Sequence, residues 1–174
     1  VQNVNWYDCV KWCNAKSEMA GLEPVYEVKG QVYRTGEYGS EGSKMVSRNV
    51  SANGYRLPSG AEWEWAARGG VKSRGFRYSG SDDLDVVGWH IKNSDSSLQP
   101  VKEKAPNEIG LHDMSGNLWE WCWESNSTKN HQHRGGSGAG YSESCAVAYI
   151  HPNGTIPDGR SPVIGLRLAR SSEP

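Results

Sequence analysis

Trp119-Glu120-Trp121-Cys122-Trp123 sets three indoles at alternate positions, directly after Ser115-Gly116-Asn117. An indole buries a large apolar area and still needs a partner for its N–H, so alternate indoles predict a strand with one packed face. Gly116 and Asn117 are residue types that accept a positive φ, and the turn they form aims that strand. A chain with this centre needs an aromatic core. Its composition agrees: eight Trp and eight Tyr against one Phe, with 21 Gly, describe a loop-rich domain built around a few large rings. Its 174 residues make one domain, 1–174, long enough to bury a real core.

Composition also excludes. A net charge of −1 leaves no basic footprint for nucleic acid. No apolar run approaches the ~20 residues of a membrane span, and no signal peptide is visible. Four cysteines at this length do not make a disulfide framework. Cys9 and Cys13 lie one helical turn apart on one face, as small buried hydrophobes would. The chain is expected to be a monomer.

Local patterns place the elements. Asn5 is a cap and Asp8 answers it three residues on, predicting a helix to about Ala20 that stops at Gly21. Val25–Val28 and Gln31–Thr35 alternate apolar with polar residues and predict a hairpin. Ser59-Gly60-Ala61-Glu62 is a capping box that opens a second helix over 60–68, ended by Gly69-Gly70. Residues 71–109 are mostly loop, with a candidate strand at Val86–His90. The polar stretch Glu124–His133 is expected to be a solvated loop. Val147–Ile150 and Leu166–Ala169 are expected to be short strands.

Four motifs in order carry a resemblance. They are Tyr55-Arg56-Leu57-Pro58-Ser59-Gly60-Ala61-Glu62-Trp63-Glu64-Trp65-Ala66-Ala67-Arg68-Gly69-Gly70, Gly110–Trp121, Arg134-Gly135-Gly136-Ser137 and Gly165-Leu166-Arg167-Leu168-Ala169. Together they resemble the sulfatase-modifying domain of formylglycine-generating enzymes. Val4–Asn14 is similar to that family's first helix, while the strand that usually precedes it is missing. The resemblance implies an α+β domain, an irregular variant of the C-type lectin fold, with two helices and short antiparallel strands.

The same resemblance makes catalysis unexpected. Catalytic members hold copper(I), a soft ion suited to thiolates, on a cysteine pair shortly after the Arg-Gly-Gly-Ser motif. Counted forward from Ser137, those positions fall on Gly140 and Cys145. Counted back from Ala146, Cys145 matches a structural cysteine and both catalytic positions are gone. Either way the pair is incomplete, so no catalytic residue is assigned. The family's two disulfides would join Cys13 to the position of Leu168, and Cys145 to the position of Ala67, so each lacks a partner. A related branch holds iron on three histidines largely from a separate helical domain. Here His131-x-His133 is the one close pair among His90, His112, His131, His133 and His151, in a stretch expected to be solvated. Family members also bind calcium at the turn matching 116–120. Asn117 and Glu120 offer it hard oxygen ligands. Equally, Asn117 shapes the turn and Glu120 makes a buried hydrogen bond or ion pair, and both readings stay open. No cofactor is expected to be required, and calcium, if bound, would be structural.

One compositional gap bears on function. Between Ser144 and Ala169 there is no Lys, Glu, Gln, Met or Trp, types that supply about one residue in five of the whole chain. This resembles the variable proteins of diversity-generating retroelements, in which randomised Asn codons reach Tyr, Ser, Asp, Gly, His, Ile, Thr, Val, Ala and Pro but none of those five. The resemblance implies a non-enzymatic binding module with a variable region at about 125–169. Its ligand-binding positions would be Gly138, Ala139, Gly140, Tyr141, Tyr149, Ile150, His151, Asn153, Gly154, Thr155, Ile156, Ser161, Pro162 and Val163. Loops over a rigid frame tolerate such change, and Tyr among small residues suits a paratope. The partner would be a protein or another cell-surface ligand, and the setting the cell surface or extracellular space, as a lipoprotein or otherwise. The alternatives are an oxidase or oxygenase of the formylglycine-generating type and, third, a carbohydrate-binding lectin. The calcium motifs Glu-Pro-Asn and Gln-Pro-Asp of ordinary C-type lectins do not occur.

Overall fold

The computed structural model describes residues 1–39, 42–125 and 129–171. Helix α1, Trp6–Met19, begins in the expected capping box. Asn5 Oδ1 accepts the Asp8 amide at 2.8 Å and Asp8 Oδ2 accepts the Asn5 amide at 3.2 Å. Its inner face buries Trp6, Tyr7, Cys9, Val10 and Cys13. Buried Asn14 fills its hydrogen-bonding capacity with backbone. Its Oδ1 accepts from the Val25 and Tyr26 amides at 3.1 and 2.9 Å, and its Nδ2 donates to the Tyr26 and Tyr33 carbonyls at 2.7 and 3.0 Å. That one amide fastens the helix to β1, Tyr26–Val28. Strand β1 is central in a small antiparallel sheet between β2, Gln31–Val32, and β3, Val46–Arg48.

Strand β4, Tyr55–Arg56, pairs antiparallel with β8, Ala169–Arg170, tying the C-terminal strand to the segment before the second helix. Between β4 and the next helix, Ser59 and Glu62 form the second capping box, and α2 runs Gly60–Ala67. Strand β5, Trp119–Ser125, is the centre of the third sheet. It pairs antiparallel with β6, His131–Arg134, and parallel with β7, Ile164–Gly165. Among the described residues no helix is long and apolar enough to cross a membrane.

The fold is the expected α+β, C-type-lectin-like class, with local corrections. Strand β5 is packed on both faces rather than one. Trp119 and Trp121 join the cluster around α1, while Cys122 joins Trp63, Ala67, Met114 and Val147 on the α2 side. The residues expected as a strand at 86–90 begin in a one-turn helix, α3, Leu84–Val87, capped by Asp83. Leu84 and Val87 face Tyr78 and Cys145, which gives the apolar pair a helical contact to satisfy. Val147–Ile150 has no strand, and of Leu166–Ala169 only Ala169 lies in one. The described ends of the stretch at 124–133 are strand rather than the expected loop. β5 continues to Ser125, β6 starts at His131, and residues 126–128 lie outside the described set.

Candidate ligand-binding face

The frame under the candidate positions is a set of backbone locks. The Gly116 amide donates to the Gly135 carbonyl at 2.7 Å, the Asn117 amide to Trp89 O at 2.9 Å, and the Gly138 amide to Asn117 O at 2.8 Å. Gly136 must be glycine: its φ is +77°, and a Cβ there would lie 2.6 Å from Cys145 Sγ. Arg134 is 1% exposed. Its Nη2 donates to Glu64 Oε2 at 2.6 Å and Val147 O at 2.9 Å, and the guanidinium lies over the Trp63 ring. A buried charge needs partners of this kind.

The other lock is Glu120. It accepts from Trp63 Nε1 at 2.7 Å and from Arg167 Nε and Nη2, each at 2.8 Å, and Arg167 also donates to His112 O. The Asn117 amide is bound in both directions to the Gln99 backbone, at 3.2 and 3.1 Å. As placed, protein donors fill the Glu120 oxygens and one binds Asn117 Oδ1, which is the arrangement the ion-pair reading of this turn describes. In the groove of about 560 Å³ beside them, Asp113 Oδ1 is buried without a hydrogen-bond partner. Among the described residues no three His, Cys, Asp or Glu side chains converge on a metal position.

Around this frame the fourteen candidate positions fall into three groups. Ala139, Gly140 and Tyr141 form a turn held by the Ile91 amide on Gly140 O at 3.0 Å, with Tyr141 70% exposed. Gly138, next to them, is buried, and a Cβ there would lie 2.9 Å from Ser97 O. It acts as a packing position. Tyr149, His151, Asn153, Gly154, Thr155 and Ile156 lie on an irregular loop over β6, with Ile150 and Ile156 among the exposed apolar side chains. Tyr149 and His151 pack on Trp119 at 6.1 and 5.3 Å. Ser161, Pro162 and Val163 lead into β7. There Ser161 O accepts the Asn3 amide, Val163 O accepts the Trp119 amide, and Pro162 is exposed.

The histidines of β6, expected in a solvated stretch, are buried instead. His131 and His133 are 5% and 3% exposed. Burial pushes the imidazole of His131 down to about 4 and that of His133 to about 3, so both are neutral near pH 7. The four cysteines are free and buried, and burial raises the Cys145 thiol to about 11. A thiol so placed is a poor nucleophile and a poor metal ligand.

Three small sheets, two capped helices and the Glu120–Arg167 lock define a C-type-lectin-like domain of the formylglycine-generating kind. The sequence matches the sulfatase-modifying factor enzyme 1-like domain over residues 1–172, and the chain belongs to that family. It is 39% identical to the chaperone protein LppX of Paenibacillus barcinonensis, over 98% of this chain and 69% of that protein. It is 34% identical to the formylglycine-generating enzyme of Streptomyces coelicolor, over 69% of this chain but only 48% of the enzyme. The solved structure of Treponema denticola variable protein 1 superposes with a TM-score of 0.84 at 32% identity, covering 98% of this chain and 70% of that one.

Proposed function

We propose that this chain is a non-enzymatic binding module whose ligand contacts come from the loops at 139–141 and 149–162. One observation carries the reading: Ala139, Tyr141, Ile150, Asn153, Ile156 and Pro162 are exposed on loops whose ends are locked to a buried frame. The likeness to a treponemal variable protein supports it. So does the cysteine count, because Cys145 is the sole cysteine after Ser137 and it is buried. Tyr141 is the proposed hot spot, offering apolar area and a hydroxyl at 70% exposure. The partner is a protein or another cell-surface ligand, in an extracellular or cell-surface setting. The identity to a chaperone across 98% of this chain favours a second reading, contact with a client protein through the same loops.

The test is a displayed library. Randomising Ala139, Tyr141, Ile150, Asn153, Ile156 and Pro162 together should leave most clones folded and yield binders to an unrelated purified protein such as lysozyme. Mostly unfolded clones would refute the display reading. Formylglycine production from a cysteine-containing sulfatase peptide with copper(I) would refute the non-enzymatic one.

A further inference from the structure

Residues 149–156 have no regular structure of their own, and histidines hold them down. His131 exchanges both backbone hydrogen bonds with Thr155, at 2.9 and 3.1 Å. His133 Nε2 lies 3.1 Å from Thr155 Oγ1. The His133 ring lies 4.6 Å from that of His151, and Trp119 meets both. The His131 ring stacks on Trp6 at 4.1 Å, with Nδ1 3.0 Å from the Trp123 carbonyl. A carbonyl only accepts, so the proton sits on Nδ1 and Nε2 is a bare lone pair. That Nε2, and Nδ1 of His133, are buried without a hydrogen-bond partner.

A second proton on either ring would make a buried cation. Among the described residues, the groups packed on the rings offer it no counter-charge. They are Trp6 from α1, Trp119, Trp121 and the Trp123 carbonyl from β5, and Thr155 and His151 from the loop. His151 is the one titratable group acting on His133, and its own charge would be positive. The ring that meets water most cheaply is one whose loop has lifted.

We propose that residues 149–156 form an acid-released flap, seated on the neutral ring of His133 near pH 7 and lifted when the surroundings acidify. This goes beyond the display reading and holds whether or not these positions bind a partner. If they do, acid also breaks up the binding face.

The sign follows from linkage. His133, whose ring meets Thr155 and His151 of the flap, sits below the ordinary value of about 6.5 while the flap is seated, so the open form binds more protons. The seat is at full strength above pH 6.5 and weakens as pH falls towards about 3. The balance shifts towards the open form about tenfold per pH unit in that window.

Hydrogen exchange measured by mass spectrometry between pH 7.5 and 4.5, corrected for intrinsic rates, tests this on the full chain. Protection across 149–156 should fall by about tenfold between pH 6 and 5, while α1 keeps its protection. His133→Gln keeps a hydrogen-bonding side chain without the titration, and should remove most of that fall. Should that variant fail to fold, proton NMR of the parent decides: imidazole midpoints below 5 support the flap, and midpoints near 6.5 overturn it. Protection at 149–156 that ignores pH, or that falls in step with α1, also overturns it.

Discussion

Arg167 grips Glu120 through two nitrogens, each 2.8 Å from a carboxylate oxygen, although 47 residues separate them. The pair occupies the position where calcium was expected. Replacing Glu120 leaves the largely buried Arg167 with the His112 carbonyl but without its counter-charge. Glu120→Gln should therefore destabilise the domain by about 3 kcal/mol. Thermal melting with calcium and with a chelator should show the same loss. A loss confined to the calcium-loaded protein would restore the metal reading.

Buried Asn14 holds four backbone groups of the 25–33 segment. Asn14→Ala should cost roughly 3 kcal/mol, because each orphaned buried group carries a desolvation penalty of about 1–3 kcal/mol and water recovers part of it. Urea unfolding of the purified variant gives the number. A change below about 0.5 kcal/mol would mean that the segment re-forms without this anchor.

Gly138 and Tyr141 should behave oppositely despite lying three residues apart. Gly138→Ala forces a Cβ to within 2.9 Å of Ser97 O and should cost on the order of 1–3 kcal/mol. Tyr141→Ser, at an exposed site, should stay within about 0.5 kcal/mol of the parent. Equal melting temperatures for the two variants would contradict this division between frame and loop.

All four cysteines are free and buried, and burial pushes the Cys13 thiol up to about 12. Thiol counting should find four groups in denaturant and almost none in the native state at pH 7. A native protein that reacts at once at Cys145 would show that the site opens more readily than its packing indicates.

Local hydrogen bonding made the helices legible. Asn5 with Asp8, and Ser59 with Glu62, fix both helix starts within four residues of sequence. The Trp119–Trp123 alternation marked β5, but its second buried face depends on Trp63 and Val147, far away in the chain. His131 and His133 sit among polar neighbours, so composition points to solvent, whereas Trp6 and Trp119 decide their burial. Val86-Val87 looked like strand because β-branched pairs favour one, and tertiary contact at Cys145 chose a helical turn instead. Gly138 carries a residue type common to variable positions, and only the Ser97 carbonyl betrays its packing role.

Glu120 is also paired in register with Arg134 on one side and Gly165 on the other. The chain between those two residues thus leaves and re-enters the central sheet beside a single position. Between the points where such a loop is pinned, closure entropy grows only logarithmically with contour length, about 0.6 kcal/mol per doubling. Insertions and deletions in those free spans should then be nearly as cheap as substitutions. Reach as well as chemistry becomes adjustable, so one frame could serve partners of different curvature.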